Sequence, residues 1–259
     1  MADLRLPRAL CRLLVLRGHA TSSDARLYLK PRLDDLHDPH LLAGAAQAVD
    51  RIAAALRSRE RILVHGDYDV DGMCSAALYT QVLRSLGADV EAFVPHRMSD
   101  GYDLGYAGVR RAAEGGASVI LTGDCGIVAH DAVEQARAQG IDVIVTDHHT
   151  PGDTLPAAAA VVNPNRADCT YPFKGLAGAG VAYKLCQLLV EALGGDTESL
   201  RWHLDLVALA TIADLAPLRG ENRILAHYGL RVLRETRSTG LRALMQRAGI
   251  ATDRPLSAG

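Results

Sequence analysis

The chain reads as an α/β protein: a parallel sheet flanked by helices, with a helical N-terminal extension and a helical C-terminal part. Three observations predict this. From residue 61 to about residue 164, short β-branched and apolar runs alternate with amphipathic stretches. Those runs are apolar along their whole length, as strands covered on both faces are. On either side of this region the apolar residues recur at helical spacing instead.

In chain order, residues 1–57 form the extension, in which "LPRALCRLLVLRGH" and "HLLAGAAQAVDRIAAALRSR" have helical spacing and flank the Pro/Asp/His-rich "KPRLDDLHDPH". "RILVHG" is the first strand, and "GMCSAALYTQVLRSLG" a helix ended by Gly87. "DVEAFVP", "ASVILTGD" and "IDVIVTD" are further strands, separated by helices at "LGYAGVRRAAEGG" and "AHDAVEQARAQG". "AAAAVVNP" is a candidate fifth strand. Successive β-α units imply right-handed crossovers. After Pro164 comes the loop "NRADCTYPFKG", then helices at "AGVAYKLCQLLVEALG", "ESLRWHLDLVALATIAD", "NRILAHYGLRVLRET" and "GLRALMQRAG". The last residues, "ATDRPLSAG", read as a loop with no closing element.

Composition narrows the function classes. The 259 residues are 49% apolar and 22% charged, enough for a packed core without staples. A net charge of −2 gives no global basic field, so contact with a polyanion requires a local patch or a bound metal. The five cysteines, Cys11, Cys74, Cys125, Cys169 and Cys186, lie far apart with no C-x-x-C pair. That argues against a disulfide framework or a thiolate zinc site and suits a reducing cytoplasm. No long uncharged apolar run predicts a membrane span. The N-terminal "ALCRLLVLRGHA" is broken by Arg12 and Arg17, unlike a signal peptide.

The stretch "RILVHGDYDVDGMCSAALY" crowds Asp67, Asp69 and Asp71 behind His65. In an open parallel sheet ligands bind beyond the carboxyl ends of the strands. Asp124 in "LTGDCG" and Asp147, His148 and His149 in "VTDHHT" follow later strands, so the segments converge on one rim. Asp214 ends a strongly apolar helix before Pro217, where an acid is costly unless paired or metal-bound. Carboxylates and imidazoles without thiolates suit manganese or magnesium. Two such ions, about 3.5–4 Å apart, would cancel the charge and clamp a phosphoryl group.

Other readings compete. Asp-x-Asp-x-Asp-Gly begins an EF-hand loop, but the twelfth position is Leu78 rather than Glu, and the loop follows a strand. A dinucleotide site lacks G-x-G-x-x-G. A solvated acidic turn remains open for the first cluster alone.

These motifs resemble the DHH phosphoesterase family: "HGDYDVDG", "GDCG", "DHH" and "ADLAPL" match its four motifs in order. Within it the chain most resembles the RecJ-type single-stranded-DNA exonucleases, through "VPHRMSDGYDLG", "YPFKGLAGAGVAYKL", "VALATIADLAPLRGENRIL" and "DLHDPHLL". The sequence departs from the family pattern at Asp103, which is expected to alter a loop without touching a metal ligand.

The resemblance implies that His65, Asp69 and Asp124 hold one ion, and that Asp71, Asp124, His148 and Asp214 hold the other, with Asp124 bridging. His149 would face the scissile phosphate as a hydrogen-bond donor or acid, and Asp67 and Asp147 would orient ligands. Arg97 is the candidate for a terminal 5′-phosphate, its alternative being a surface ion pair. "GLAGAG" could offer amides to a phosphate or serve tight helix packing. Tyr68 and Tyr102, near the rim, could touch a base, although packing is the default expectation. Cys125 reads as a small buried residue rather than a nucleophile.

The implied activity is two-metal 5′→3′ hydrolysis of single-stranded DNA in recombination and repair, with single-strand-binding protein and a helicase as candidate partners. The rivals are a phosphodiesterase on short oligonucleotides or cyclic dinucleotides and a noncatalytic scaffold. Residues 58–259 are expected to be the catalytic domain alone. The family's DHH-associated and OB-type domains are expected to be missing, and DNA processing therefore to be weak.

Overall fold

The uninterrupted apolar runs form the interior of a five-stranded parallel sheet. In the computed structural model, which describes residues 4–258, the strands are β1 (Ile62–Gly66), β2 (Val90–Phe93), β3 (Val119–Gly123), β4 (Asp142–Thr146) and β5 (Ala160–Val162). Their spatial order is β2-β1-β3-β4-β5, every pair parallel. The order reverses between β1 and β3, which makes that seam the switch point where a crevice opens.

Period-two alternation sends side chains to two separate cores. Ile62, Val64, Val119, Leu121, Ile144 and Val162 face α3 (Ala45–Ser58), α4 (Val70–Ser85), α7 (Gly178–Ala192) and α8 (Leu204–Ala213). Leu63, Ile120, Val143, Val145 and Val161 face α5 (Tyr106–Glu114) and α6 (His130–Ala138) on the other side. Each such aliphatic contributes about 1.5–3 kcal/mol by its burial.

The N-terminal part carries α1 (Arg8–Leu16) and α2 (Ser22–Leu29), and the C-terminal part adds α9 (Gly220–Arg234) and α10 (Thr239–Arg247). α9 lies so close to α8 that a Cβ on Gly229 would stand 2.1 Å from the Leu204 carbonyl oxygen. A buried ion pair joins these parts. Lys184 Nζ lies 2.8 Å from Glu221 Oε1 and donates to the His37 carbonyl at 2.6 Å. The His37 N–H and the Tyr171 hydroxyl donate to the same Glu221 carboxylate at 2.9 and 2.6 Å.

Two elements differ from expectation. Residues 198–214 are not one helix: Thr197–His203 winds as a 3-10 turn in which only Leu200 is buried, and α8 starts at Leu204. A segment with one inward residue has no apolar stripe to hold an α-helix on the core. Helix α4 starts at Val70 rather than Gly72, because Asp69 accepts the Gly72 N–H at 2.9 Å as its N-cap. Among the described residues no helix is long and apolar enough to cross a membrane.

Candidate metal centre

The acidic residues stand one step past their strands, and the sheet itself places them. The Asp67 N–H donates to the Gly123 carbonyl at 3.3 Å, the Asp124 N–H to that of Thr146 at 3.0 Å and the Asp147 N–H to that of Val162 at 3.0 Å. Each ladder thus runs one bond beyond its strand and delivers a carboxylate to the same rim. Asp124 then turns the chain sharply with φ +66°. A threonine pair braces this turn: the Thr122 hydroxyl donates to the Cys125 carbonyl at 2.7 Å and accepts the Thr146 N–H at 3.0 Å.

His148 is the hub. Its Nε2 lies 3.0 Å from Asp124 Oδ1, 3.8 Å from Asp71 Oδ2 and 4.0 Å from Asp214 Oδ2. Its Nδ1 donates to the Leu176 carbonyl at 2.9 Å, which leaves a lone pair on Nε2 in the neutral ring. Asp71, fully buried, accepts the Gly178 N–H on Oδ2 and the Ala179 N–H on Oδ1, each at 2.7 Å. The amides of "GLAGAG" therefore serve a carboxylate of the site rather than a phosphate. The packing alternative holds as well, since a Cβ on Gly178 would come within 2.6 Å of Asp124 Oδ1. Asp214 reaches the cluster as the C-cap of α8, followed by Leu215 at φ +57° and 87% exposed.

Asp147 organises the histidine pair. Its Oδ1 accepts the His148 and His149 N–H groups and His149 Nδ1–H at 2.7, 3.1 and 2.7 Å, while Oδ2 accepts the Ile127 N–H at 3.0 Å. The His149 ring stays 44% exposed. Two asparagines hold this backbone: Asn163 donates to the His149 carbonyl at 2.9 Å and Asn165 to the His148 carbonyl at 2.5 Å. Neither stood out in the sequence; "NPN" directly after a strand was the available signal.

Charge is poorly compensated here. Burial pushes the Asp71 and Asp124 carboxyls above the usual carboxylate range, although His148 pulls both back. Burial likewise raises Asp67 and Asp214. Burial would lower His148, but the surrounding carboxylates, Asp124 foremost, outweigh it and push the ring up to about 9. For Asp147 burial is outweighed by the donors from His149 and the amides, so its carboxyl sits below the usual range. Asp147 in turn raises His149.

Four buried atoms, Asp124 Oδ1, His148 Nε2, His65 Nε2 and Asp67 Oδ1, have no hydrogen-bond partner among the described residues. Asp124 and His148 face each other at 3.0 Å without the alignment of a hydrogen bond. Such atoms are costly in a dry interior. Adjacent donors on a six-coordinate ion at 2.0–2.1 Å lie about 3 Å apart, so this spacing fits ligands of one cation. Asp71, His148 and Asp214 form one group of donors within 4.8 Å of one another, and Asp124, His148 and His149 form a second.

The other expected ligands are less closely gathered. His65 and Asp69 belong to neither group. The His65 ring is buried beside Phe93, at 5.5 Å between ring centres, with Nδ1 3.6 Å from Cys125 Sγ. Burial lowers its pKa to about 4, so it is a neutral imidazole. Asp69 is exposed and spends one oxygen on its helix cap. Arg97 lies 5.2 Å above the Tyr68 ring and, among the described residues, forms no ion pair. Cys125 is buried and its thiol is pushed well up by burial, as befits a packing residue. All five cysteines are free.

Comparison with known proteins places the chain in a family. Residues 61–211 match the DHH family, N-terminal domain. The single-stranded-DNA-specific exonuclease RecJ of Bacillus subtilis (strain 168) is 42% identical over 247 residues, covering 95% of this chain and 31% of the relative. The manganese-bound crystal structure of exonuclease RecJ superimposes with a TM-score of 0.76 at 39% identity, covering 86% of this chain and 55% of that one. The magnesium complex of RecJ from Thermus thermophilus gives a TM-score of 0.65 at 33% identity, covering 92% and 30%. The chain thus spans about a third of the length of the curated relative it matches.

Proposed function

Because the chain belongs to the DHH family, we propose that it hydrolyses phosphodiester bonds of single-stranded DNA from the 5′ end, with two manganese or magnesium ions as cofactors. The observation that carries this reading is the convergence of Asp71, Asp124 and Asp214 on His148 Nε2, within 3.0–4.0 Å, with Asp124 Oδ1 and His148 Nε2 buried and without a hydrogen-bond partner among the described residues. The RecJ relatives support the choice of substrate.

In this reading Asp71, Asp124, His148 and Asp214 hold one ion, and His65 and Asp69, sharing Asp124, hold the other. The ions supply Lewis acidity toward the phosphoryl oxygens and the attacking water. The chain supplies everything else. Leu176 fixes the His148 tautomer. The backbone donors of α7 hold Asp71 in place. Asp147 steadies His149 through Nδ1, so the opposite nitrogen can offer a proton to a phosphoryl oxygen in the open cleft. Asp67 and Asp147 orient neighbours, and Arg97 takes the 5′-phosphate as a planar donor fork. Residues 1–57 act as a docked helical extension of a catalytic domain at 58–259, consistent with the His37 bonds to Lys184 and Glu221. Single-strand-binding protein and a helicase are partners by the logic of the reaction, since they present unpaired strand. A cytoplasmic setting goes with that role and with free cysteines.

Digestion of a 5′-phosphorylated single strand with Mn2+, beside Asp124→Ala, tests the reading. Slow release of mononucleotides from the 5′ end by the wild type alone is expected. Turnover confined to dinucleotides would move the assignment to a small-substrate phosphodiesterase, and no metal-dependent cleavage of either would overturn it.

A further inference from the structure

Asp103 occupies a backbone conformation that favours glycine, with φ +71°. An L-residue is strained there, and aspartate tolerates it best when its side chain bonds locally. Its Oδ1 accepts the Leu104 N–H at 2.8 Å and, across the cleft wall, the Gly126 N–H at 2.5 Å. Gly126 lies two residues beyond Asp124, at φ +106°, packed against Val145 and Thr122. No other acceptor for the Gly126 N–H occurs among the described residues.

The adjoining residue gives this bond its consequence. Tyr102 lies edge-on to the His149 ring at 6.4 Å between centres and to Tyr68 at 6.0 Å, and Tyr68 lies beneath Arg97. The rest of the loop bonds mainly to itself: the His96 N–H donates to Asp100 at 2.8 Å and the Asp100 N–H to the His96 carbonyl at 2.8 Å.

We propose that Asp103 is a positioning residue whose carboxylate ties the loop of Arg97 and Tyr102 to the turn of Asp124, and so sets the cleft wall beside His149. Asp103 touches no reacting atom. It acts through Tyr102 and Arg97 on how the strand is seated, and the kinetic part of this proposal rests on the nuclease reading above.

Asp103→Gly relieves the backbone but removes the tie, whereas Asp103→Asn keeps an acceptor oxygen and tolerates the same φ. In Asp103→Gly the Gly126 amide should exchange with solvent about tenfold faster, and KM for a single strand should rise about tenfold, with kcat within about twofold. The melting temperature should not fall, which separates positioning from simple structural support. Asp103→Asn should restore both exchange and KM. Unchanged Gly126 exchange in Asp103→Gly would overturn the proposal, as would faster exchange with KM unmoved. If no variant cleaves DNA, the nuclease reading fails, while Gly126 exchange still decides whether the tie exists.

Discussion

Two corners of the same rim are built in opposite ways. Around Asp71, Asp124 and His148 nearly every atom not aimed at the centre has a partner: two α7 amides for Asp71, the Leu176 carbonyl for His148, Asn163 and Asn165 behind the histidine backbone. Around His65 and Asp69 the support is thin. Among the described residues His65 Nδ1 meets only the Cys125 sulfur, at 3.6 Å, where His148 Nδ1 has a backbone carbonyl at 2.9 Å, and Asp69 is exposed and caps a helix. In the proposed reading the first corner is preorganised for a cation, and the second is completed by one. Ordering side chains costs binding free energy, so the two ions should bind unequally.

The largest test removes Asp124, the residue proposed to serve both corners. Asp124→Ala should lower single-strand cleavage by about a thousandfold or more, about 4 kcal/mol in the barrier. The measurement is kcat/KM with saturating Mn2+; a loss under tenfold would mean that the two corners do not share it.

Asp147→Asn probes the support of the first corner without removing a ligand. It weakens the hold on His149 and should cost about 10–100-fold in activity, with circular dichroism unchanged.

Acidity sharpens the contrast further. The His148 ring titrates near 9 against an ordinary 6.5, so its proton stabilises the metal-free fold fully below 6.5, and that contribution is lost as pH rises through about 9. A bound cation needs the same ring deprotonated. Mn2+ affinity at the first corner should therefore rise with pH, by up to about tenfold per unit for each proton displaced. Calorimetry from pH 6.5 to 9 in buffers of different ionisation enthalpy would count those protons.

The smallest effect separates the helix cap of Asp69 from its proposed role as a metal ligand. Asp69→Asn keeps the cap and should leave stability nearly unchanged, whereas Asp69→Ala should lose about 1 kcal/mol in denaturant unfolding. Both should weaken the second ion equally.

Much of this was legible before any coordinates. Strands rich in Val, Ile and Leu announced a sheet covered on both faces, and a parallel sheet forces the residues after β1, β3 and β4 onto one edge. Asp214 was legible because an acid at the end of an apolar helix needs a reason. What stayed hidden depends on tertiary placement. That the amides of Gly178 and Ala179 serve Asp71 follows from how α7 lands on α4, which no local pattern encodes. The cap role of Asp69 was masked by its acidic neighbours, although Asp three residues before Gly72 is a helix-start signal. Asp103 was expected to alter a loop without touching a metal ligand; what the sequence did not show is its bond to the Gly126 amide, in the turn that carries Asp124.

The most direct measurement is a Mn2+ titration of the wild type and Asp69→Asn by calorimetry at pH 8. Two ions per chain are predicted for the wild type, one tighter than the other, and Asp69→Asn should keep the tight one and lose or weaken the other. Two equivalent ions that weaken together in Asp69→Asn, or no ion at all in the wild type, would contradict the account.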